Sequence, residues 1–319
     1  MKDQANQVLN RSIDSWREAF LSPFRHTIAQ SISYHGIGVH GGEPSTVSMS
    51  PNHQPRSDSL GVYLNGYPLR EWEVYDTVWS TKISHPHGGE LRMVEHLFAA
   101  LYASGIDDVH IWVEGNELPI LDGSALEYIT PIKPTLTWGS QSGEAGPFKR
   151  SDLYLSERLD LNWRDSALHY DPSIEALSAP LPLSAKLKLN IEPLMTQHAE
   201  LRTLDDLYFK VIPAKTFGFL SDESSLRALG LIQGVTLQNT RVYDESGQAL
   251  TPLPYDSESA YHKLLDLLGD LYLLGQPLRG HIDLLRGGHH LHHLLVDTIR
   301  AKVFLGEASL NSRILSHFE

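Results

Sequence analysis

The chain contains no cysteine among its 319 residues. Disulfide bonds and thiolate ligands are therefore excluded, so any bound metal ion must be held by histidine, aspartate or glutamate. Positive charge is also scarce, because 26 lysines and arginines face 39 aspartates and glutamates, a formal net charge of −13. Proteins that bind nucleic acid in general neutralise phosphates with basic surfaces, so no nucleic-acid partner is expected.

Long apolar runs are missing as well. No stretch approaches the roughly 18 consecutive apolar residues of a membrane-spanning helix, and residues 1–16 lack the apolar core of a signal peptide. The remaining composition, 41% hydrophobic and 20% charged, is that of a globular protein. We therefore expect a cytoplasmic protein without a transmembrane segment, with enough residues for one large or two ordinary domains.

The composition along the chain predicts three parts, namely an N-terminal extension and two domains joined by a linker. Residues 1–24 form a polar extension with helical spacing that ends at Pro23. Residues 137–147, TWGSQSGEAGP, are rich in glycine and serine and are typical of a linker. We therefore predict a first domain at 25–140 and a second at 147–319. Strand-like and helix-like segments recur in two similar halves, although no residue-level repeat is visible.

One helix in the second half carries a possible metal site. Apolar residues at 264, 265, 267, 268 and 271 predict a helix with one buried stripe. His262 and Asp266 are four residues apart and so share one face of that helix, with Asp270 one turn further. An imidazole and a carboxylate at this spacing can share one Zn²⁺ ion. Such pairs also occur on ordinary helix surfaces, so the spacing alone leaves both interpretations open.

Two places in the first half could face the same site. Glu95 and His96 stand at the first turn of a helix predicted at 92–101, off its apolar face. His96 is a candidate third ligand and Glu95 a candidate base, while a plain polar helix start is the alternative. The glycine-rich turn 36–42 either brings His40 near a cleft or is an ordinary loop.

Seven short motifs are spread along the chain in the order GIGVHGG (36–42), MVEHLFAAL (93–101), GID (105–107), ELPILDGSA (117–125), KTFGF (215–219), HKLLDLLGDLYLLG (262–275) and GGH (287–289). Together they resemble, in the same order, the motifs of one family, the zinc-dependent UDP-3-O-acyl-N-acetylglucosamine deacetylases of lipid A synthesis. The longest of them, VEHLxAAL and HKxLDxxGDLYLLG, are specific, and the resemblance runs from about Ser31 to the end of the chain. Only the extension and the linker lack a counterpart.

The resemblance implies an α+β fold of two domains with similar layered sheet-and-helix topology and the active site between them. It implies that His96, His262 and Asp266 hold Zn²⁺, which leaves one coordination position for water. Glu95 would be the general base and His289 the general acid. The reaction would be hydrolysis of an N-acetyl group.

The same resemblance assigns roles around this centre. Thr216 would hydrogen-bond the oxyanion, Asp270 would orient His289, and Lys263 would help hold the substrate. Phe219 and Arg286 lie where the family meets the nucleotide and its diphosphate. The implied partner is a nucleotide sugar, and we expect a monomer that hands its product to membrane-associated enzymes.

The chain departs from the family pattern at three places, and these departures bear on which substrate it recognises. Tyr261 replaces a basic residue, and His292 and His293 replace an asparagine pair. Glu223 lies where the family builds an apolar passage for a fatty-acyl chain. A carboxylate buried there without a partner would cost several kcal/mol, roughly 2–7 for a polar group and more for a charge. Selectivity for long chains would then be weakened, unless Glu223 points to solvent.

Two alternative functions therefore stay open. One is a zinc deacetylase of this family that acts on a different N-acetylated sugar. The other is a non-catalytic zinc-binding relative. A structural zinc site needs neither a base nor an acid beside it and is usually closed by a fourth protein ligand, which disfavours the second alternative.

Overall fold

The fold is of the mixed α+β class, as expected. The computed structural model describes residues 2–53, 61–141, 144–173 and 181–305, so the C-terminal end of the predicted second domain lies outside it. The described helices are α1 (Lys2–Leu21), α2 (Glu95–Ala103), α3 (Leu126–Ile129), α4 (Leu204–Asp206), α5 (Glu223–Ala228), α6 (Glu258–Tyr272) and α7 (His289–Arg300). Short 3₁₀ turns cover Leu69–Glu71 and Leu220–Asp222, and π-helical turns cover Leu207–Val211 and Ala301–Leu305.

The described strands, in chain order, are β1 (His26–Ile28), β2 (Ile32–Ile37), β3 (Pro44–Pro51), β4 (Gly61–Leu64), β5 (Tyr67–Pro68), β6 (Glu73–Asp76), β7 (Lys82–His85), β8 (Gly89–Arg92), β9 (Asp108–Glu114), β10 (Pro134–Leu136), β11 (Trp138–Gln141), β12 (Glu144–Pro147), β13 (Leu159–Trp163), β14 (Ser166–Asp171), β15 (Leu183–Leu189), β16 (Gln197–Leu201), β17 (Phe217–Phe219), β18 (Arg241–Tyr243) and β19 (Gly280–Leu285).

Two large sheets organise these strands. The first has the order β10-β1-β9-β3-β2, with β4 and β5 attached through β9. The second has the order β13-β14-β19-β15-β16. Helices α6 and α7 pack on the second sheet, and α2 packs against α6. Buried apolar side chains of both halves form one contiguous core. The division into two domains stays a prediction.

Alternation of apolar residues at 32–34 and 46–49 predicts strands there, and β2 and β3 contain them. In β2, Ile32 and Tyr34 are buried while their neighbours are exposed, and in β3 the buried Val47 and Met49 alternate with half-buried residues. The pattern of segment 76–83 also predicts one strand, but only its ends lie in strands, Asp76 in β6 and residues 82–83 in β7. Between them Trp79 adopts a left-handed backbone with φ of 69°, which a strand cannot contain.

The N-terminal extension is helical and packed. Trp16 is 1% exposed, and its indole N–H donates to the carbonyl of Ile132 at 2.8 Å. Its ring also lies 6.0 Å from that of Tyr208, so the helix contacts both halves of the chain. The predicted linker forms the hairpin β11-β12 rather than an irregular segment. None of the helices in the described part of the chain combines the length and apolar character needed to cross a bilayer.

Helices α2 and α6 are in close contact at Gly269. A Cβ atom at this position would lie 2.0 Å from the carbonyl oxygen of Glu95, the first residue of α2. Only glycine therefore allows the start of α2 to rest on the middle of α6. This contact sets Glu95 and His96 beside the residues that α6 carries.

We predict that Gly269→Ala destabilises the protein, although the same change stabilises an unobstructed helix by roughly 1 kcal/mol. The added methyl group must push α2 away, and overpacking of this kind costs about 1–3 kcal/mol. Urea unfolding would measure the loss. Gly146→Ala is the matched control, because an added Cβ there meets nothing within 4 Å. Equal stability of the two variants would contradict the tight contact.

Candidate active site

Three buried side chains from α2 and α6 converge on one point. His96, His262 and Asp266 are each 2% exposed, and their potential ligand atoms all lie within 4.8 Å of one another. The Nε2 atom of His262 is 3.3 Å from Oδ1 of Asp266. The two imidazole rings meet edge to face, with centroids 5.1 Å apart. The first helical turn of α2 thus completes the pair that the spacing on α6 predicted.

The protonation of these groups suits a divalent cation. The Nδ1–H of His262 donates to the carbonyl of Ala214 at 3.0 Å, which leaves the lone pair on Nε2 facing Asp266. Burial lowers the pKa of His96 to about 3 and also lowers the pKa of His262, so both rings are neutral. The Nδ1 atom of His96 is buried and has no hydrogen-bond partner among the described residues.

Asp266 supplies the negative charge. Burial alone would raise its pKa, but Lys263 and the nearby histidines outweigh that effect and hold the pKa well below the ordinary value. The Nζ atom of Lys263 lies 2.9 Å from Oδ2 of Asp266. Two neutral imidazoles and one ionised carboxylate are a donor set that fits Zn²⁺ and related divalent metals.

A proton acceptor and a proton donor stand next to this set. Glu95 is 1% exposed, and burial raises the pKa of its carboxyl group to about 8. Its Oε1 atom is 3.7 Å from Nε2 of His289. Burial by itself lowers the pKa of His289, but the carboxylate of Asp270 outweighs it and raises the pKa to about 9. His289 can therefore carry a proton beside Glu95.

Asp270 is fully buried and accepts hydrogen bonds from several elements. Its Oδ2 atom lies 2.8 Å from Nδ1 of His289 and 2.8 Å from Nδ1 of His292. Its Oδ1 atom accepts from the hydroxyl of Thr81 and lies 3.2 Å from Nε2 of His293. In the sequence, Thr81 lies in the segment 76–83, whose pattern predicts a strand, and no motif marks it as a site residue. His292 and His293 stand out in the sequence only as departures from the family pattern.

The candidate ligands His96, His262 and Asp266 line one cavity of about 770 Å³, together with Glu95 and His289. Thr216 also lies on its wall, and so does His40, which is one of the two alternatives that the glycine-rich turn left open. Many of the other lining side chains are apolar. They include Phe219, Leu220, Leu226, Ile232, Val235 and Leu250.

Two residues that were predicted to contact the substrate have surroundings other than those expected. Glu223 lies on the cavity wall, but its side chain is 46% exposed and its carboxylate accepts from Nε of Arg227 at 2.9 Å. The desolvation penalty considered for this carboxylate therefore does not arise. Arg286 is not among the cavity-lining residues, although Gly287 and Gly288 are, and its guanidinium pairs with Asp165.

Residues 25–301 match the model of the UDP-3-O-acyl N-acetylglycosamine deacetylase family. The chain belongs to this family. A relative called UDP-3-O-acyl-N-acetylglucosamine deacetylase, from Thermosynechococcus vestitus, is 34% identical over 284 residues, covering 86% of this chain and 93% of the relative. Relatives of the same name from Leptospira biflexa (strain Patoc 1 / Ames) and Thermodesulfovibrio yellowstonii are 32% and 30% identical, covering 88% and 85% of this chain and 90% and 89% of their own lengths. The resemblance drawn from the motifs is thus confirmed, and α1 lies before the part that the family model matches.

We predict that the purified protein holds about one divalent metal ion per chain, as expected of a single catalytic site. Asp266→Ala and His262→Ala should lose most of this metal, because each removes one of three ligands. Metal analysis by mass spectrometry would measure the ratio. Asp160→Ala, which changes an aspartate with a side chain 71% exposed, is the control that should retain the metal. Full metal retention in the Asp266→Ala protein would rule out this ligand set.

Proposed function

We propose that the protein hydrolyses the N-acetyl group of a UDP-3-O-acyl-N-acetylglucosamine-type nucleotide sugar, the deacetylation that belongs to lipid A synthesis. The observation that supports this proposal is the convergence of the ligand set with Glu95 and His289 on the wall of one largely apolar cavity. Family membership and the printed names of the relatives point to the same reaction.

The metal in this proposal is Zn²⁺, held by His96, His262 and Asp266. When bound there, Zn²⁺ would lower the pKa of a water molecule towards about 7 and polarise the acetyl carbonyl. Nδ1 of His96 has no hydrogen-bond partner among the described residues, and the hydrogen bond from Nδ1 of His262 to Ala214 leaves the Nε2 lone pair of His262 next to Asp266, which suits both rings as ligands of a cation. The absence of cysteine leaves no thiolate ligand in the chain.

The acid and base steps follow from the positions of two side chains. Glu95 takes a proton from water as the water oxygen forms a bond to the acetyl carbonyl carbon. Thr216 donates a hydrogen bond to the carbonyl oxygen as negative charge develops on it. His289 then gives its proton to the sugar nitrogen as the carbon–nitrogen bond breaks, and the products are acetate and a free amine.

Asp270 and Lys263 support this chemistry but transfer no proton themselves. Asp270 fixes the imidazole of His289 through Nδ1, so that Nε2 faces Glu95 and the reaction centre. Lys263 balances the charge of Asp266 and contributes a cation at the substrate end of the cavity. Both roles are part of the proposal.

Substrate recognition is assigned to the rest of the cavity. Its apolar stretch beyond Phe219 is suited to a fatty-acyl chain, whose burial contributes up to about 0.8 kcal/mol per CH₂ group. Arg286 stands next to the two glycines on the cavity wall and is proposed to meet the diphosphate. Its present partner, Asp165, has a side chain 66% exposed, so this ion pair is weak and can be exchanged.

We predict that Glu95→Ala and His289→Ala each keep the metal but lose roughly 10²-fold or more in turnover, because each removes a proton-transfer group. Release of free amine from the acylated nucleotide sugar would measure kcat. His169→Ala, which changes a histidine with a side chain 57% exposed, is the control that should keep full activity.

The wild-type assay also separates the candidate functions. Faster release of amine from acylated than from unacylated UDP-N-acetylglucosamine supports the proposed substrate. A preference for the unacylated sugar would favour the related deacetylase that acts on another N-acetylated compound. Wild-type turnover in the His289→Ala protein would contradict its role as the acid.

A further prediction concerns the acyl passage. Because Glu223 is solvated and paired with Arg227, Glu223→Ile should change KM for a long-chain substrate by no more than about twofold, the effect of an ordinary surface change. Leu226→Glu, one turn along the same helix, places a carboxylate on the apolar wall and should raise KM for the long-chain substrate only. Steady-state kinetics on acylated and unacylated substrates would measure both. A large fall in KM for Glu223→Ile would show that its carboxylate opposes acyl binding.

A further inference from the structure

Thr81 contacts both the proposed base and the partner of the proposed acid. It is fully buried in the segment that links β6 to β7. Its backbone N–H donates to Oε2 of Glu95 at 3.3 Å. Its hydroxyl group contacts Oδ1 of Asp270. Thr81 is thereby bonded to the carboxylates of two separate helices, α2 and α6.

The direction of these hydrogen bonds follows from the chemistry of the groups. An ionised carboxylate only accepts, so the Thr81 hydroxyl donates its single hydrogen to Asp270. Its oxygen can still accept, and Nε2 of His293 lies 2.8 Å away while Nδ1 of His289 lies 3.2 Å away. The hydroxyl group is therefore held by His293 on one side and by Asp270 on the other.

This arrangement bears on the distance between the two proton-transfer groups. Glu95 and His289 are 3.7 Å apart. The hydrogen bonds that these two groups make away from each other connect both of them to Thr81, in the case of Glu95 through the backbone N–H of Thr81. The hydroxyl group occupies Oδ1 of Asp270, so that Oδ2 is left to face His289 and His292. Loss of the hydroxyl would leave Oδ1 with only His293 and let the carboxylate turn.

We propose that Thr81 is a positioning residue for the deacetylation, which sets the orientation of the Asp270–His289 pair relative to Glu95. It touches no substrate and acts through these three side chains. This inference rests on the proposed function of the site. The competing explanation is that Thr81 only fills space in the core.

The chain offers a matched control for that explanation. Ser80 precedes Thr81, is also fully buried, and its hydroxyl has no hydrogen-bond partner in the described residues. It does not line the cavity. Thr81→Val keeps the shape and the backbone N–H of Thr81 but removes the hydroxyl, whereas Thr81→Ser keeps the hydroxyl and removes a methyl group.

The experiment measures kcat, KM and metal content for Thr81→Val, Thr81→Ser and Ser80→Ala with the acylated substrate. We expect Thr81→Val to lose roughly 10- to 100-fold in kcat with KM and metal content unchanged, the usual effect of losing an outer partner of a site. Thr81→Ser should recover most of kcat, and Ser80→Ala should match the wild type. Wild-type kcat in Thr81→Val, or an equal loss in Thr81→Ser, would overturn the proposal.

A spectroscopic measurement separates this inference from the proposed function. The imidazole N–H proton of His289 bonded to Asp270 should give a low-field NMR resonance that is absent from His289→Ala. We expect this resonance to shift in Thr81→Val and to stay in place in Ser80→Ala. An unshifted resonance in Thr81→Val overturns the positioning role. If the resonance shifts in Thr81→Val but the wild-type protein has no deacetylase activity, only the proposed function is contradicted.

Discussion

The close packing of α2 on α6 at Gly269 is the contact on which the site depends. It brings a helix start from the first half of the chain against the middle of a helix from the second half. His96 can complete the pair on α6 only because no side chain stands between the two backbones. Since the candidate ligands come from both helices, a metal bound to them would stabilise the helix packing, and the packing would in turn favour the metal. A metal bound by all three residues would therefore also resist separation of α2 from α6.

The site also depends on how three buried carboxylates are compensated. Asp266 has an ammonium group at 2.9 Å, and Asp270 is surrounded by three imidazoles and a hydroxyl. Glu95 has one backbone N–H at 3.3 Å and an imidazole at 3.7 Å, so burial dominates and its pKa rises. Environments that push the pKa values of neighbouring acids apart assign different roles to them. The least compensated carboxylate is the one suited to accept a proton.

The departures from the family pattern around Asp270 keep the hydrogen-bonding chemistry. An asparagine amide donates through its NH₂ group, and a neutral imidazole donates through one N–H. The Nδ1–H of His292 donates to Asp270, and its Nε2 accepts from the backbone N–H of Gly288 at 3.2 Å, which fixes a neutral ring. Burial lowers the pKa of His292 in agreement with this tautomer. His292 and His293 therefore replace the donors of the asparagine pair without adding two charges to the site.

Contacts between residues close in sequence could be predicted from the sequence, whereas contacts between residues far apart in sequence could not. The i,i+4 spacing on α6 placed His262 beside Asp266 without any tertiary information, and alternation gave β2 and β3. Thr81 was missed because its partners are remote in sequence and meet it only in the folded chain. Gly139 lies in the segment predicted as a linker, but a Cβ there would lie 2.1 Å from the ring of Phe148, so packing requires the glycine. Glu223 could have been paired with Arg227 from their i,i+4 spacing alone.

With Glu223 solvated, the shape and polarity of the cavity become the main argument about the substrate. Leu220, Leu237 and Leu250 line it and are 44%, 46% and 46% exposed. Apolar surface left open to water is unfavourable, and a contiguous patch of it usually marks a surface that a ligand covers. A sugar with only an N-acetyl group has too little apolar area to cover these side chains, whereas an acyl chain matches them. These exposed side chains therefore support the proposed acylated nucleotide sugar rather than a smaller N-acetylated compound.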